Sequence, residues 1–290
     1  MEVRARAVAE RSGAIPGRRR GGAEARPARA LAAALLACGV LAGCSGEEEP
    51  PPSEVPGAPA PGPAGCEHPA QVLDLQRWKL TLPYGSAEDE SEPQEIEQPV
   101  LAGFVSEPWF RPTDDCTGVV FRAAVNAPTT SGSKYPRSEL REMNPDGTKA
   151  AWSSTVGTHV LTVTEAFTNV PEGKPHLVGA QIHDDDDDIS VFRLEGTNLY
   201  VTDGDDANHK LITDSYVPGT PFEAKFVVRN GTVEAYYNGE LQTTLQKDFS
   251  DAYFKAGAYT QANCERVAPA PCSEENYGET VIYSLEVSHE

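Results

Sequence analysis

The chain has 290 residues, of which 24 are basic and 44 acidic, and its formal net charge at pH 7 is −20. Residues 1–43 contain eight Arg and three Glu, so residues 44–290 hold 16 basic against 41 acidic side chains. Nucleic acid binding depends on Lys and Arg that neutralise phosphates, so this composition argues against a nucleic acid partner. An acidic polymer would also be repelled unless basic side chains cluster at its binding site.

Residues 1–43 have the pattern of an export signal. An Arg-rich region precedes an apolar run, Ala30–Gly43, which is too short to span a bilayer. The run ends in Leu41-Ala42-Gly43-Cys44, which resembles a bacterial lipobox. Cys44 is therefore predicted to be the lipidated first residue of a lipoprotein anchored to the cell envelope, and the alternative is an ordinary cleaved signal of a secreted protein. The length of the Arg-rich region favours a translation start downstream of Met1.

Residues 44–65 are rich in Pro and Glu and predict an extended, solvated linker, which leaves residues 66–290 as one folded domain. Four cysteines remain in the exported part, and an even number in an oxidising compartment predicts two disulfides with three possible pairings. The preferred pairing is Cys66–Cys116 with Cys264–Cys272, since the second bridge closes a short Pro-rich loop. A zinc site is the alternative, but the sequence has no CxxC pair.

In chain order, the first apolar-patterned segment is Val72–Leu82, which Pro83 is expected to stop, and residues 84–99 are acidic and turn-rich. Two-residue hairpin turns are predicted at Asn230-Gly231 and Asn238-Gly239. No long stretch has helical periodicity, and the many short strands predict an all-β sandwich or jelly roll of antiparallel sheets. The predicted strands are Val119–Ala124, Ser138–Met143, Thr158–Phe167, His176–His183, Ser190–Leu194, Leu199–Thr202, Ala224–Arg229, Thr232–Tyr237, Glu240–Leu245, Tyr253–Gln261 and Thr280–Val287.

Three of these strands carry chemically useful side chains on one face, because side chains alternate along a strand. In the last of the three, Tyr253, Lys255, Gly257, Tyr259 and Gln261 share a face, opposite small and apolar residues. A single polar-faced strand is usually a solvated sheet face. Three with proton-transfer or anion-binding groups indicate a site for a polar polymer. The polar faces of the other two strands consist of Arg137, Glu139 and Arg141, and of Gln181 and His183.

The blocks Arg-Ser-Glu-Leu-Arg at 137–141, Gln-Ile-His at 181–183 and Tyr-Phe-Lys-Ala-Gly-x-Tyr-x-Gln at 253–261 resemble the signature blocks of the alginate lyases of polysaccharide lyase family seven. Residues 78–83 and 283–287 resemble the two ends of the same family. The resemblance covers residues 66–290. It implies a β-jelly roll whose concave sheet forms a cleft for alginate, which is cleaved by β-elimination to unsaturated oligosaccharides.

The resemblance also implies residue roles. Arg137 and Gln181, joined by His183, would neutralise the uronate carboxylate, where charge develops as the C5 proton leaves. His183 is the expected base near neutral pH. Tyr259 would protonate the leaving oxygen, or act as both base and acid where the C5 hydrogen and the leaving oxygen share a face. Neighbouring sugars would be bound by Arg141, Lys255 and Gln261, and Glu139 would orient an arginine.

Ile182, by the same resemblance, goes with a preference for guluronate-containing blocks. Tyr253 is expected to be a packing or hydrogen-bonding residue rather than a catalyst. The chain is expected to act as a monomer. No role is assigned to the histidines outside the blocks, which are His68, His159, His176, His209 and His289.

Asp184–Asp188 places five carboxylates directly after His183. A solvated acidic loop is the default interpretation, and its charge is expected to raise the basicity of His183. Structural calcium is an alternative, although Ile189 stands where a calcium loop of the EF-hand type needs Gly. No cofactor or metal is required by the chemistry.

Three other functions compete with an alginate lyase. A retaining glycosidase needs two carboxylates about 5–5.5 Å apart, and the strands lack the Glu-x-Asp-x-x-Glu run expected for one. A non-catalytic surface protein that binds carbohydrate would have no use for His183 and Tyr259. A lyase for another polyuronate, such as glucuronan, is compatible with the same chemistry.

Overall fold

The strands form two antiparallel sheets in a computed structural model, which describes residues 65–86 and 89–290. The predicted export signal, its Cys44 and all of the predicted linker except Gly65 lie outside the described residues. Numbered in chain order, the strands of the first sheet run from edge to edge as β10 (Asp206–Thr213), β9 (Asn198–Asp203), β8 (Asp188–Glu195), β7 (His176–His183), β14 (Tyr253–Thr260), β5 (Arg137–Glu142), β1 (Trp78–Gly85) and β2 (Pro93–Ile96).

The second sheet has seven strands. They run in the order β13 (Glu240–Gln246), β12 (Thr232–Tyr237), β11 (Phe222–Arg229), β6 (Thr158–Asn169), β15 (Tyr277–His289), β4 (Val119–Ala124) and β3 (Phe110–Pro112). A short helix, α1 (Cys264–Val267), and the 3-10 turns Pro69–Gln71 and Val100–Gly103 lie in the connections. The predicted all-β class with two antiparallel sheets is confirmed. Among the described residues no helix is long and apolar enough to cross a membrane.

The core lies between the sheets because alternate residues of each strand point inward. On β14, Phe254, Ala256 and Ala258 are buried in the core, and the intervening Tyr253, Lys255 and Tyr259 line a cleft on the outer side of the eight-stranded sheet. Large side chains that fill the core include Trp78, Phe110, Phe121, Phe167, Phe192, Phe222 and Phe226.

The hairpin turns and the disulfides agree with the predictions. Asn230 and Gly231 have φ values of 51° and 69°, and Asn238 and Gly239 have 49° and 78°. Positive φ at both central residues is what a tight two-residue hairpin requires. Disulfides join Cys66 to Cys116 and Cys264 to Cys272, with Cα–Cα distances of 5.8 and 5.0 Å.

The predicted strands miss parts of the sheet edges. Residues 84–99, predicted as turns, contain β2, and β1 continues through Pro83 to Gly85. The β1–β2 register is irregular between Thr81 and Gly85, and Pro is tolerated at such irregularities. The edge strand β10 is half exposed and polar, so its sequence shows little apolar alternation. It is formed by backbone pairing with its neighbour β9.

Candidate active site

The three polar-faced strands are direct neighbours in the eight-stranded sheet. In the ladder between β14 and β5, Tyr259 pairs with Arg137 and Lys255 with Arg141. On the other side of β14, Lys255 pairs with Gln181 and Tyr253 with His183. Residues as far apart in sequence as Arg137 and Tyr259 therefore stand side by side on one face, as the blocks predicted.

One cleft contains all four predicted catalytic residues. Arg137, Gln181, His183 and Tyr259 line it together with Arg141 and Lys255. Gln261 is not in this cleft, and lines a neighbouring depression that shares Gln181 and Tyr259 with it. The Gln261 side chain accepts a hydrogen bond from Arg193 Nη1 at 2.8 Å.

Glu139 lies beneath the cleft and connects three of its residues. Its Oε2 accepts a hydrogen bond from Arg137 Nη1 at 3.0 Å and pairs with Lys255 Nζ at 2.5 Å. Its Oε1 accepts a hydrogen bond from Gln181 Nε2. Burial by itself would raise the pKa of Glu139, but the charges of Lys255 and Arg137 and the hydrogen bonds from both hold that pKa below its ordinary value. Glu139 is therefore an anion that fixes an arginine, a lysine and an amide.

Lys255 is buried at the floor of the cleft. Burial and the charge of Arg137 lower the pKa of Lys255 to about 8, against the opposing attraction of Glu139. The lysine is therefore mostly a cation at neutral pH. Arg137 and Lys255 supply two positive charges within a chain that is otherwise strongly acidic, which satisfies the basic cluster that an acidic substrate requires.

His183 is held as a neutral imidazole. Its Nδ1 lies 2.5 Å from the backbone oxygen of Asp184, and since that oxygen can only accept, Nδ1 carries the hydrogen. The lone pair is then on Nε2. Burial, followed by the charge of Lys255, lowers the pKa of His183 below its ordinary value. The imidazole stacks on Tyr253, with ring centroids 5.4 Å apart.

Tyr259 stands among cations. The guanidinium of Arg137 lies 4.1 Å from the centre of its ring and Lys255 Nζ lies 5.9 Å from it. Its phenol oxygen is 3.0 Å from Ser133 Oγ. The phenol is therefore held in the cleft beside Arg137 and Lys255.

Tyr253 and Arg141 support the cleft wall. The Arg141 guanidinium lies over the Tyr253 ring at 3.8 Å from its centre, and Nη1 donates to the backbone oxygen of Glu142 at 2.8 Å. The Tyr253 phenol oxygen is 3.2 Å from His183 Nδ1. Tyr253 thus packs and hydrogen-bonds, as predicted from its position at the strand edge.

Several cleft residues were not identified from the sequence. Lys79 and Thr81 of β1 line the cleft, and Lys79 Nζ pairs with Glu95 at 2.5 Å. The alternation of Lys79 and Thr81 with Trp78, Leu80 and Leu82 is a signal that could have found them. Ser133 and Lys149 also line the cleft, but they come from loops and carry no pattern.

The acidic loop Asp184–Asp188 borders the cleft, to which Asp185–Asp188 contribute. Its predicted effect on His183 is wrong: the pKa of His183 is lowered, because burial and Lys255 outweigh the opposing effects of the Asp184 carbonyl and Glu139. Burial and the charge of Asp187 raise the pKa of Asp188 to about 6. Within the described residues no three His, Cys, Asp or Glu side chains are grouped to hold a metal, and structural calcium stays a prediction.

Two histidines without a predicted role form a structural cluster instead. His289 Nε2 lies 2.5 Å from Glu142 Oε1, and its Nδ1 is 2.7 Å from His159 Nδ1. Glu142 also accepts hydrogen bonds from Trp152 Nε1 at 3.1 Å and from the Phe254 amide at 3.0 Å. The cluster ties the last strand to β5 and to the beginning of β14.

Comparisons with known proteins agree with this fold and cleft. A sequence profile of a family described as alginate lyase matches residues 73–289. A crystal structure of the alginate lyase from Corynebacterium sp. is 59% identical, covers 78% of this chain and 99% of its own, and has a TM-score of 0.74. The alginate lyase AlgAT5 from polysaccharide lyase family 7 is 44% identical, covers 78% and 100%, and has a TM-score of 0.72.

An alginate lyase of Klebsiella pneumoniae is 34% identical over 84 residues, which are 29% of this chain and 27% of that protein, so the match spans about a quarter of that relative. The fold and the cleft define a jelly-roll polysaccharide lyase. The chain belongs to the alginate lyase family, and the family predicted from the three sequence blocks is confirmed.

Proposed function

We propose that the chain cleaves alginate by β-elimination in the cleft of the eight-stranded sheet. The observation that carries the proposal is the convergence of Arg137, Gln181, His183 and Tyr259 on one cleft around the buried carboxylate of Glu139. Family membership supports alginate as the substrate. Since an elimination uses neither water nor redox chemistry, no cofactor is required.

Arg137 and Gln181 are the groups that receive the uronate carboxylate. The C5 hydrogen is weakly acidic because the adjacent carboxylate is already negative, so donors aimed at that carboxylate must stabilise the charge that develops there. Glu139 holds both donors in place before the substrate arrives. Such preorganisation avoids the cost of reorienting dipoles during the reaction.

A base takes the C5 hydrogen as a proton, a double bond forms between C4 and C5, and the C4–oxygen bond breaks with its electron pair on the oxygen. Where the C5 hydrogen and the leaving oxygen lie on opposite faces, His183 Nε2 is the base and Tyr259 donates the proton to the oxygen. Where they share a face, Tyr259 performs both transfers. The neutral imidazole of His183 and the cations beside Tyr259 support these assignments.

Neighbouring sugar units extend along the cleft past Arg141 and Lys255, and on the other side towards Gln261. A preference for guluronate-containing blocks is part of the proposal and rests on the resemblance at Ile182. The Ile182 side chain is buried in the core, so any influence on preference is exerted through the neighbouring Gln181 and His183. Assays on polyguluronate, polymannuronate and mixed polymer test it, and strict polymannuronate activity would contradict it.

The placement of the enzyme is also proposed. Residues 1–43 export the chain, and a lipid on Cys44 anchors it to the cell envelope, where it acts as a monomer on external polysaccharide. Radiolabelled palmitate incorporation into the wild type but not into Cys44→Ser is the expected result. Equal labelling of both would contradict the anchor.

Tyr259→Phe tests the mechanism directly. Loss of the phenol proton is expected to lower kcat by about 10²–10⁴, the usual contribution of a general acid or base. The measurement is the absorbance of the conjugated double bond in the products. Tyr236→Phe is the matched control, since its phenol lies on the other sheet and donates to Glu234. Unchanged cleavage by Tyr259→Phe would refute the mechanism, while new reducing ends without the absorbance would indicate a hydrolase.

A further inference from the structure

A second buried carboxyl group, Glu165, lies between the sheets directly behind the cleft strand β7. It belongs to β6 of the seven-stranded sheet and is fully buried. Its Oε1 accepts a hydrogen bond from the Ala180 amide at 3.2 Å. Among the described residues its Oε2 has no hydrogen-bond partner. Burying a polar atom without a hydrogen-bond partner destabilises the fold, so the presence of Glu165 here calls for an explanation.

The contact falls on a bulge in β7. Val178 pairs with Arg193 and Gln181 with Val191, so three steps along β7 match two along β8. On its other side the same three steps match four along β14, between Lys255 and Tyr259. The extra residue shifts the alternation: Leu177 and Ala180 both lie in the core, while Val178 and Gln181 both line the outer face. A one-residue shift moves every following side chain to the other face of a sheet. The bulge therefore puts Gln181 and His183 in the cleft rather than in the core.

Gly179 makes room for the carboxyl group. A Cβ on Gly179 would lie 2.4 Å from Glu165 Oε1 and 2.5 Å from Oε2, which is far too close for carbon and oxygen. The backbone N–H of Ala180, at the bulge, donates its hydrogen bond to Glu165 Oε1. Bulges disrupt the local ladder and leave a residue unpaired, so a side chain from the opposite sheet completes this one.

We propose that Glu165 is a positioning residue for the active site, whose carboxyl group holds the β7 bulge through Gly179 and Ala180 and so places Gln181 and His183 in the cleft. The inference rests on the proposed roles of Gln181 and His183. A residue of the seven-stranded sheet thereby helps to shape a cleft that lies on the eight-stranded sheet. Its side chain acts on the reaction only through the backbone of β7.

The carboxyl group acts in its neutral form. Burial raises the pKa of Glu165 to about 8, and the hydrogen bond from Ala180 opposes the rise only in part. Its ladder neighbours, Phe222 of β11 and Ile282 of β15, are apolar. Burial also raises the pKa of the nearby Tyr216 phenol, so that group is neutral as well. An amide should therefore replace the carboxyl group well.

The test compares Glu165→Met with Glu165→Gln. Met fills similar volume without an acceptor and is expected to lower kcat at least tenfold with a smaller change in KM, because a misplacement of about 1 Å can cost as much as 10² in rate. Gln keeps the carbonyl oxygen and is expected to recover kcat to within about threefold of the wild type. The control is Val163→Ala, on the same face of β6. It leaves a cavity in the core, so its Tm is expected to fall while its kcat stays unchanged.

Gly179→Ala gives a second approach that does not depend on the folding of Glu165→Met. It is expected to lower kcat by a similar factor, and much less when Glu165→Ala has already removed the carboxyl group, since the two residues act through one contact. A folded Glu165→Met with wild-type kcat, an equal loss in Glu165→Gln, or additive effects of the Gly179 and Glu165 changes would each overturn the proposal.

Gln181→Ala separates this inference from the proposed function. If Gln181→Ala retains full activity, the proposed roles in the cleft are wrong. If Gln181→Ala is inactive while Glu165→Met is fully active, the cleft chemistry stands and only the positioning role of Glu165 is refuted.

Discussion

Glu139 and Glu165 are both fully buried glutamates, one beneath the cleft and the other behind it, yet they hold opposite charge states. Glu139 has Lys255, Arg137 and Gln181 around it, and its pKa is held below the ordinary value. Glu165 has one backbone amide, and burial raises its pKa to about 8. Burial therefore does not decide whether a carboxyl group is ionised, because partners that stabilise the anion can offset the desolvation.

The difference corresponds to two tasks. An ionised carboxylate can hold an arginine and a lysine side by side in an acidic protein, as the cleft requires. A neutral carboxyl group can complete a backbone bulge in a dry core without bringing a counter-ion with it. Each charge state suits its location, and exchanging them would leave an unpaired charge in both places.

The largest effect is expected from Glu139→Gln, which removes the charge of the ionised glutamate beneath the cleft. The amide leaves Arg137 and Lys255 close together without an anion, and removes the attraction that keeps up the pKa of Lys255. Breaking a buried ion pair costs about 3–5 kcal/mol, and we expect kcat/KM to fall by about 100-fold or more with a lower Tm. Glu240→Gln, at an exposed position on β13, is the control for loss of one charge, and equal effects of the two variants would contradict the prediction.

The next effect is a stability that depends on pH in opposite directions at the two sites. Between about 4.5, the ordinary pKa of Glu, and about 8, folded Glu165 keeps a proton that the unfolded chain releases. The free energy of unfolding therefore falls by about 1.4 kcal/mol per pH unit from this group as pH rises through that window. Glu139, with a lowered pKa, contributes stability above about pH 4.5 that is lost as pH falls through its folded pKa.

Urea unfolding at pH 5, 6, 7 and 8 measures the Glu165 contribution as the difference between the wild type and Glu165→Gln. The difference is expected to change steadily in favour of the variant as pH rises, since the amide does not titrate. Parallel curves for the two proteins would contradict a raised pKa for Glu165.

The smallest effect concerns the acidic loop at the rim of the cleft. Asp185 and Asp186 face a cleft whose proposed substrate is a polyanion, so Asp185→Asn/Asp186→Asn is expected to lower KM about twofold at low salt, and the gain should vanish at high ionic strength. Asp214→Asn, an exposed turn residue away from the cleft, is the control. A higher KM in the double variant would indicate that the loop assists binding instead.

Much of the fold and site could be predicted from local pattern. The division of the chain into short strands between turn signals gave β4, β7 and β12 with their observed bounds, and the polar faces of β5, β7 and β14 identified the residues that meet in the cleft. Edge strands such as β2 and β10 were missed, because they are paired on one side and half exposed, and need no apolar alternation.

Glu165 illustrates what the pattern could not predict. Within Thr158–Phe167 it occupies an inward position where alternation expects an apolar side chain, and nothing local indicates that Gly179 and Ala180 lie opposite. The lowered pKa of His183 could not be predicted from the sequence either. The aspartates next to it are visible in the sequence, but its burial and its proximity to Lys255, 72 positions away, are not.

The amino-acid sequence by itself determined the strands, the hairpin turns and which side chains of each cleft strand share a face, because these follow from local backbone geometry. Only the tertiary structure decided which strands are neighbours, that Glu139 is an anion and Glu165 a neutral acid, and that a bulge turns Gln181 and His183 into the cleft. Charge state and register depend on partners that are distant in the chain, and those partners come together only when the two sheets pack.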